Sequence, residues 1–192
     1  MRTLITGASS GLGAGMAREF AARGHDLALA ARRLDRLEAL REELAPTGVR
    51  VAVAALDVDD HVAVFRTVRA LRDELGGLDR VIVNAGLGKG APVGTGRFDA
   101  NLATARTNFV SALAQCEAAM EIFRAQNAGH LVVVSSVAAG RGLGGAQTTY
   151  AATKAALSHL AEGIRVDVAD TPIRVTTLAP GFIRTDLNEG MT

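Results

Sequence analysis

From its first residue the chain alternates short β-branched or apolar runs with longer segments in which apolar residues recur every three or four positions. Strands that are apolar on both sides need cover on both sides, so this alternation predicts an open parallel sheet wound with helices on each face, an α/β architecture. Strands are expected near 2–6, 26–31, 50–55, 79–83, 130–135 and 173–179, and helices across 16–23, 34–44, 62–75, 101–125 and 150–168. Connections in such a sheet are right-handed, and ligands bind outside the carboxyl ends of the strands. Functional residues should therefore stand just after strands.

The 192 residues, 48% hydrophobic with a formal net charge of +1, suffice for one substantial core, and a single domain over 1–192 is expected. Lys and Arg are scattered rather than clustered, which gives no electrostatic reason for a nucleic acid or an anionic membrane as partner. No apolar run is long enough to span a bilayer, and the N-terminus passes from Met1-Arg2-Thr3-Leu4-Ile5-Thr6 directly into glycines, leaving no room for a signal peptide. A cytoplasmic protein is the expectation. Cys116 is the only cysteine and lies among Ala, Leu and Met at helical spacing, so it reads as core. His25, His61, His130 and His159 lack the spacing of ligand pairs, and no metal is expected.

The first strand delivers Thr6-Gly7-Ala8-Ser9-Ser10-Gly11-Leu12-Gly13 into a helix. A dinucleotide pyrophosphate needs close backbone approach and unpaired N–H groups at this point, which small side chains permit; taken alone, the segment is also a plain glycine-rich turn. At the end of the second strand an acidic residue would accept bonds from a free ribose 2′-hydroxyl, but the chain reads Ala30-Ala31-Arg32-Arg33. Guanidinium groups complement a 2′-phosphate, so NADP(H) is expected over NAD(H), with Ser9 adding a hydroxyl. The alternative makes the two arginines a solvated helix entrance, with Asp35 as ion-pair partner.

Tyr150 and Lys154 are four positions apart at the start of a helix, so both project from one face. Tyrosine ordinarily ionises near about 10, and a neighbouring ammonium favours the phenolate. This pair can serve as acid or base toward a carbonyl or alcohol. Ser135 and Ser136 end the fifth strand, and alternation lets only one of them face the site. A glycine-rich loop, 140–145, follows.

The Gly-x-x-x-Gly-x-Gly spacing after Thr6 is followed in order by Asp57-Val58, Asn84-Ala85-Gly86, Ser136, Tyr150-x-x-x-Lys154 and Pro180-Gly181 with Thr185. Nearly the whole chain thereby resembles the short-chain dehydrogenase/reductase family, whose fold is Rossmann-type. The resemblance implies an NADP(H)-dependent oxidoreductase acting on a ketone, aldehyde, 3-oxoacyl group or alcohol. Tyr150 would be the general acid/base, Lys154 would bind the nicotinamide ribose, Ser136 would hold the substrate oxygen, and Asn108 would anchor a water relay to the lysine. Asp57 and Val58 would hold the adenine, with Asn84, Ala85 and Gly86 lining the cofactor. Pro180, Gly181, Ile183 and Thr185 would run under the nicotinamide. Read without the resemblance, Asp57 is also an N-cap for the next helix, 84–86 a turn, and Asn108 a satisfied packing residue. The stretch from Ser136 to Tyr150 is one residue longer than the commonest family spacing.

The chain departs from the family after Thr185, where only a few residues remain in place of the substrate-covering helices and final strand. The sixth strand is thus expected at an edge, and the reading favours a chain that continues beyond Thr192. The remainder of the long 101–125 helix is expected to pack against a second subunit in a homodimer or homotetramer. A different class of function, an NADP(H)-binding regulatory or scaffold protein without turnover, is countered by the joint presence of Asn108, Ser136, Tyr150 and Lys154.

Overall fold

A computed structural model describes residues 1–181. The strands are β1 (Arg2–Thr6), β2 (Asp26–Ala31), β3 (Val51–Ala55), β4 (Arg80–Val83), β5 (Gly129–Val134) and β6 (Ile173–Leu178). They form one sheet in the order β3-β2-β1-β4-β5-β6, with every neighbouring pair parallel. Strand order reverses direction between β1 and β4, which opens a crevice at their carboxyl ends. β6 lies at the edge among the described residues.

Strand alternation sorts the core into two layers. Leu4, Ala28, Ala30, Val81, Val83, Leu131 and Val133 face α3 (His61–Leu75), α5 (Ser111–Gln126) and α6 (Gln147–Asp167). Ile5, Leu27, Leu29, Ile82, Val132 and Val134 face α1 (Gly11–Ala22) and α2 (Leu34–Leu44). Phe123, Leu4, Ile5 and Leu131 are among the side chains withdrawn completely from water. Each contributes roughly 1.5–3 kcal/mol through burial. Cys116 belongs to this core, and burial pushes its thiol up to about 12.

Three helices differ from the sequence expectation: α1 starts at Gly11, directly on the glycine loop, rather than at Met16. The long helix begins at Phe98 as α4 (Phe98–Ala105) and reaches α5 only through a π-turn, Arg106–Val110. The turn absorbs one extra residue where buried Thr107 and Asn108 find partners outside the helix. α6 starts at Gln147 rather than Tyr150, so the tyrosine already sits within its first turn. Among the described residues no helix is long and apolar enough to cross a membrane, and no group of His, Cys, Asp and Glu could hold a metal ion.

Candidate active site

Thr6, the last residue of β1, donates through Oγ1 to the Ile82 carbonyl (3.3 Å) and accepts from the backbone N–H of Asn84 (3.0 Å) and Ala85 (3.2 Å). Asn84 Nδ2 returns a bond to the Thr6 carbonyl (2.9 Å), so the carboxyl ends of β1 and β4 are tied together. The glycines make this approach possible. A Cβ on Gly7, whose φ is +66°, would lie 2.9 Å from Ala85 Cα. On Gly13 it would run into the Gly7 carbonyl oxygen and stand 2.8 Å from Asn84 Nδ2. Ser10 precedes α1 in extended conformation without capping it, and the first turn carries no acidic residue. The positive end of this helix is therefore uncompensated by its own sequence, the arrangement that receives an anion.

A cleft of about 160 Å³ opens beside this loop. Its walls are Gly7, Ser9 and Ser10, the end of β2 at 31–33, the turn after β3 at 56–59, residues 84–87 after β4, and Thr107. Arg33 reaches across the mouth and donates to Ser10 Oγ (2.8 Å) and Ser9 Oγ (3.1 and 3.3 Å). Among the described residues neither Arg32 nor Arg33 forms an ion pair with Asp35; the guanidinium of Arg33 turns to the glycine loop instead. Asp57 is not the N-cap of α3. Asp60 fills that position, accepting from the Ala63 N–H at 2.9 Å, while Asp57 Oδ1 accepts from the Asp59 N–H (3.1 Å) and the residue stays in the cleft wall. The close glycine cradle and the free helix start fit a dinucleotide, with two arginines at one end of the cleft.

Lys154, Asn108 and Tyr150 lie behind residues 86 and 87 of the cleft wall. Lys154 is buried on α6, and its Nζ donates to the Val134 carbonyl at 2.8 Å and lies 5.8 Å from the centre of the Tyr150 ring. Burial lowers the lysine's pKa to about 8. Asn108 is fully buried; its Oδ1 accepts from the Leu87 N–H (2.6 Å), and its Nδ2 donates to the Leu87 carbonyl (2.8 Å). A Cβ on Gly86 would lie 3.2 Å from Asn108 Oδ1 and 3.7 Å from Lys154 Nζ, so these three residues converge.

The two serines divide as strand alternation requires. Ser135 is buried, with its hydroxyl bonded to the Lys154 carbonyl (2.9 Å) and to Ser158 Oγ (2.7 Å), and it fastens α6 to β5. Ser136 starts a short 3-10 turn, Val137–Gly140, and accepts from the Ala138 N–H at 3.1 Å, which leaves its own proton available to donate. The Pro180 carbonyl accepts from the Val137 N–H (3.1 Å), bringing Pro180 and Gly181 beside this turn. Ile183 and Thr185 lie outside the described residues. Thr6, Thr107 and Asp59 were not singled out from the sequence; the position of Thr6 directly before the glycine loop was the available signal, whereas the other two carry none that is local.

Residues 2–192 match the sequence model of the short chain dehydrogenase family. An uncharacterised oxidoreductase of Mycobacterium tuberculosis is 53% identical over 188 residues, covering 97% of this chain and 74% of the relative. An NADP-dependent 3-hydroxy acid dehydrogenase of Schizosaccharomyces pombe is 34% identical over 188 residues, with 96% and 72% covered. Among solved structures, the closed form of serine dehydrogenase complexed with NADP+ superposes with a TM-score of 0.91 at 29% identity, covering 98% of this chain and 75% of that one. NAD+-bound xylitol dehydrogenase gives 0.89 at 27% identity, with 94% and 70% covered. The chain is thus a member of the short-chain dehydrogenase family, oxidoreductases built on a Rossmann-type sheet that use a nicotinamide cofactor.

Proposed function

We propose that the protein interconverts a carbonyl group (ketone, aldehyde or 3-oxoacyl) and the corresponding alcohol with NADP(H), Tyr150 carrying the proton. The observation that carries this reading is the convergence of Lys154 and Asn108 at Gly86, a residue of the cleft wall, with the Tyr150 ring 5.8 Å from the lysine Nζ.

In this reading the backbone of Gly7, Ser9, Ser10, Gly11, Leu12 and Gly13 cradles the pyrophosphate. Arg32 and Arg33 meet the 2′-phosphate, Asp57 and Val58 hold the adenine, and Asn84, Ala85 and Gly86 line the ring system's path. Lys154 and Tyr150 hold the nicotinamide ribose, and Pro180, Gly181, Ile183 and Thr185 support the nicotinamide. When bound, the cofactor supplies or accepts the hydride. Ser136 donates its free O–H to the substrate oxygen and holds it beside Tyr150. In reduction the Tyr150 hydroxyl transfers its proton to that oxygen, and in oxidation the phenolate takes it back. The Lys154 ammonium stabilises the negative charge that develops on the phenol oxygen as the proton leaves, in a site where burial strengthens the interaction. Asn108, fixed to both polar atoms of the Leu87 backbone, anchors the relay toward Lys154.

Two features favour NADP(H): arginines rather than a carboxylate follow β2, and the fission-yeast relative and the serine dehydrogenase structure carry NADP in their names. A homo-oligomer fits the exposure of Phe98, Leu102 and Val110 along α4 and the π-turn, and light scattering is expected to give a dimer or tetramer rather than a monomer. The decisive experiment incubates the protein with a panel of ketones, aldehydes, 3-oxoacyl thioesters and alcohols, following the reduced-nicotinamide absorbance with each cofactor. Consumption of NADPH with at least one carbonyl is the expected result. NADPH binding without consumption across the panel would instead make the chain a sensor.

A further inference from the structure

Asp59 follows the turn whose first residue, Asp57, lines the cleft, and it does not cap the following helix, because Asp60 does. Its polar atoms reach across 47 to 52 residues of sequence to the π-turn. Thr107 Oγ1 donates to Asp59 Oδ2 (2.9 Å), Ser111 Oγ donates to Oδ1 (2.6 Å), and Arg106 donates to the Asp59 backbone carbonyl (3.1 Å). His61 Nε2 lies 3.3 Å from Ser111 Oγ, and since that hydroxyl gives its proton to Asp59, the imidazole nitrogen is the donor there. The backbone N–H of Asp59 is held in turn by Asp57 Oδ1. Hydroxyl bonds to an ionised carboxylate are short and roughly twice as strong as neutral ones.

Thr107 and Asn108 are consecutive, so the rotation of the helix that presents one to Asp59 presents the other to Leu87. A π-turn is held by longer-range backbone bonds than the helices flanking it, and its setting needs outside partners. We infer that Asp59 is a positioning residue that locks the π-turn and so aims Asn108 at Leu87 and Lys154, linking the cofactor side of the cleft to the proton-handling end. This inference rests on the catalytic reading of Asn108 given above.

The test uses the whole chain without cofactor and follows amide hydrogen exchange at Leu87, whose N–H bonds Asn108 Oδ1. Asp59→Ala is expected to accelerate exchange at Leu87 about tenfold or more while the strand amides keep their protection. Asp59→Asn should return the rate to within about threefold, because one of the Thr107 and Ser111 hydroxyls keeps donating to its Oδ1 while the other turns to accept from its Nδ2. Unchanged exchange at Leu87, or faster exchange throughout the sheet, would overturn the inference. Should Asp59→Ala fail to fold, Thr107→Val removes a single bond of the set and is read in the same way.

A turnover cycle adds a readout that a merely structural role would not produce. Asp59→Ala is expected to lower kcat about tenfold in the parent and to have no further effect beside Asn108→Ala. Additive losses would overturn it. Full turnover by Asn108→Ala, with Tyr150→Phe inactive, would also overturn the inference while sparing the tyrosine's role. Turnover by Tyr150→Phe would instead defeat the underlying reading, with Leu87 exchange still deciding the link between Asp59 and Asn108.

Discussion

Lys154 Nζ on α6 donates a 2.8 Å hydrogen bond to the carbonyl oxygen of Val134, the last residue of β5. The contact fixes an ammonium in a buried place next to the only tyrosine of the chain.

Burial brings that ammonium's pKa down from 10.5 to about 8, within the range where turnover is measured. Below this value Lys154 carries its charge and, in the proposed mechanism, stabilises charge on the phenol oxygen; above it the charge is lost. The kcat profile for carbonyl reduction should therefore fall on an alkaline limb near pH 8. Lys154→Arg, whose charge persists, should remove the limb even though its rate is lower. Pre-steady-state measurement across the range checks this, and an identical limb in both proteins would assign it elsewhere.

Arg33 lies against Ser9 and Ser10 at the mouth of the cleft. Hydrogen bonds to a charged group contribute about 1.5–3 kcal/mol, which corresponds to roughly ten- to hundredfold in affinity. Arg33→Ala is expected to weaken NADPH binding by about that factor and to leave NADH binding within about threefold. Calorimetric titration with both cofactors measures it, and equal losses for the two would show that Arg33 acts on the glycine loop rather than on the 2′-phosphate.

At the opposite end of the sheet His130 lies between two cations: its Nδ1 accepts from Arg80 Nε (3.3 Å), and Arg174 is its register partner on β6. Burial first, then Arg80 and Arg174, hold its pKa below 6.5; His25 is lowered by burial, then by the N-terminal ammonium and Arg80. Unfolded histidine takes up its proton near 6.5, before either folded side chain does. Below that pH the unfolded chain binds more protons, so the stability present above it is lost as pH falls toward the folded values. Melting temperature should drop between about pH 7 and 5, and His130→Gln should flatten part of the slope. A parallel slope in the variant would remove His130 from this account.

Much of this was legible in the primary structure because it is local or periodic. The strand positions follow from alternation, and the four-residue spacing of Tyr150 and Lys154 already placed both on one helical face. Alternation allowed only one of Ser135 and Ser136 to face the site, and the family pattern pointed to Ser136. The π-turn was not legible, because inserting a single residue near Asn108 shifts the helical phase without altering composition. Nor were the partners of Arg33 and Asp59. Asp35 is nearer to Arg33 in sequence than Ser9 and Ser10 are, yet the guanidinium bonds the serines, because the sheet brings the ends of β1 and β2 side by side. Asp59 similarly passes over its own helix for hydroxyls about fifty residues away.

The most direct measurement compares Tyr150→Phe with the parent in NADPH consumption and in NADPH affinity, the latter by cofactor fluorescence because the variant contains neither tyrosine nor tryptophan. Loss of the proton donor should lower kcat by about a hundredfold to ten-thousandfold, with the dissociation constant raised by no more than about tenfold, as expected from losing one hydroxyl contact to the ribose. Turnover within about threefold of the parent, with binding intact, would contradict the assignment of the proton to this hydroxyl.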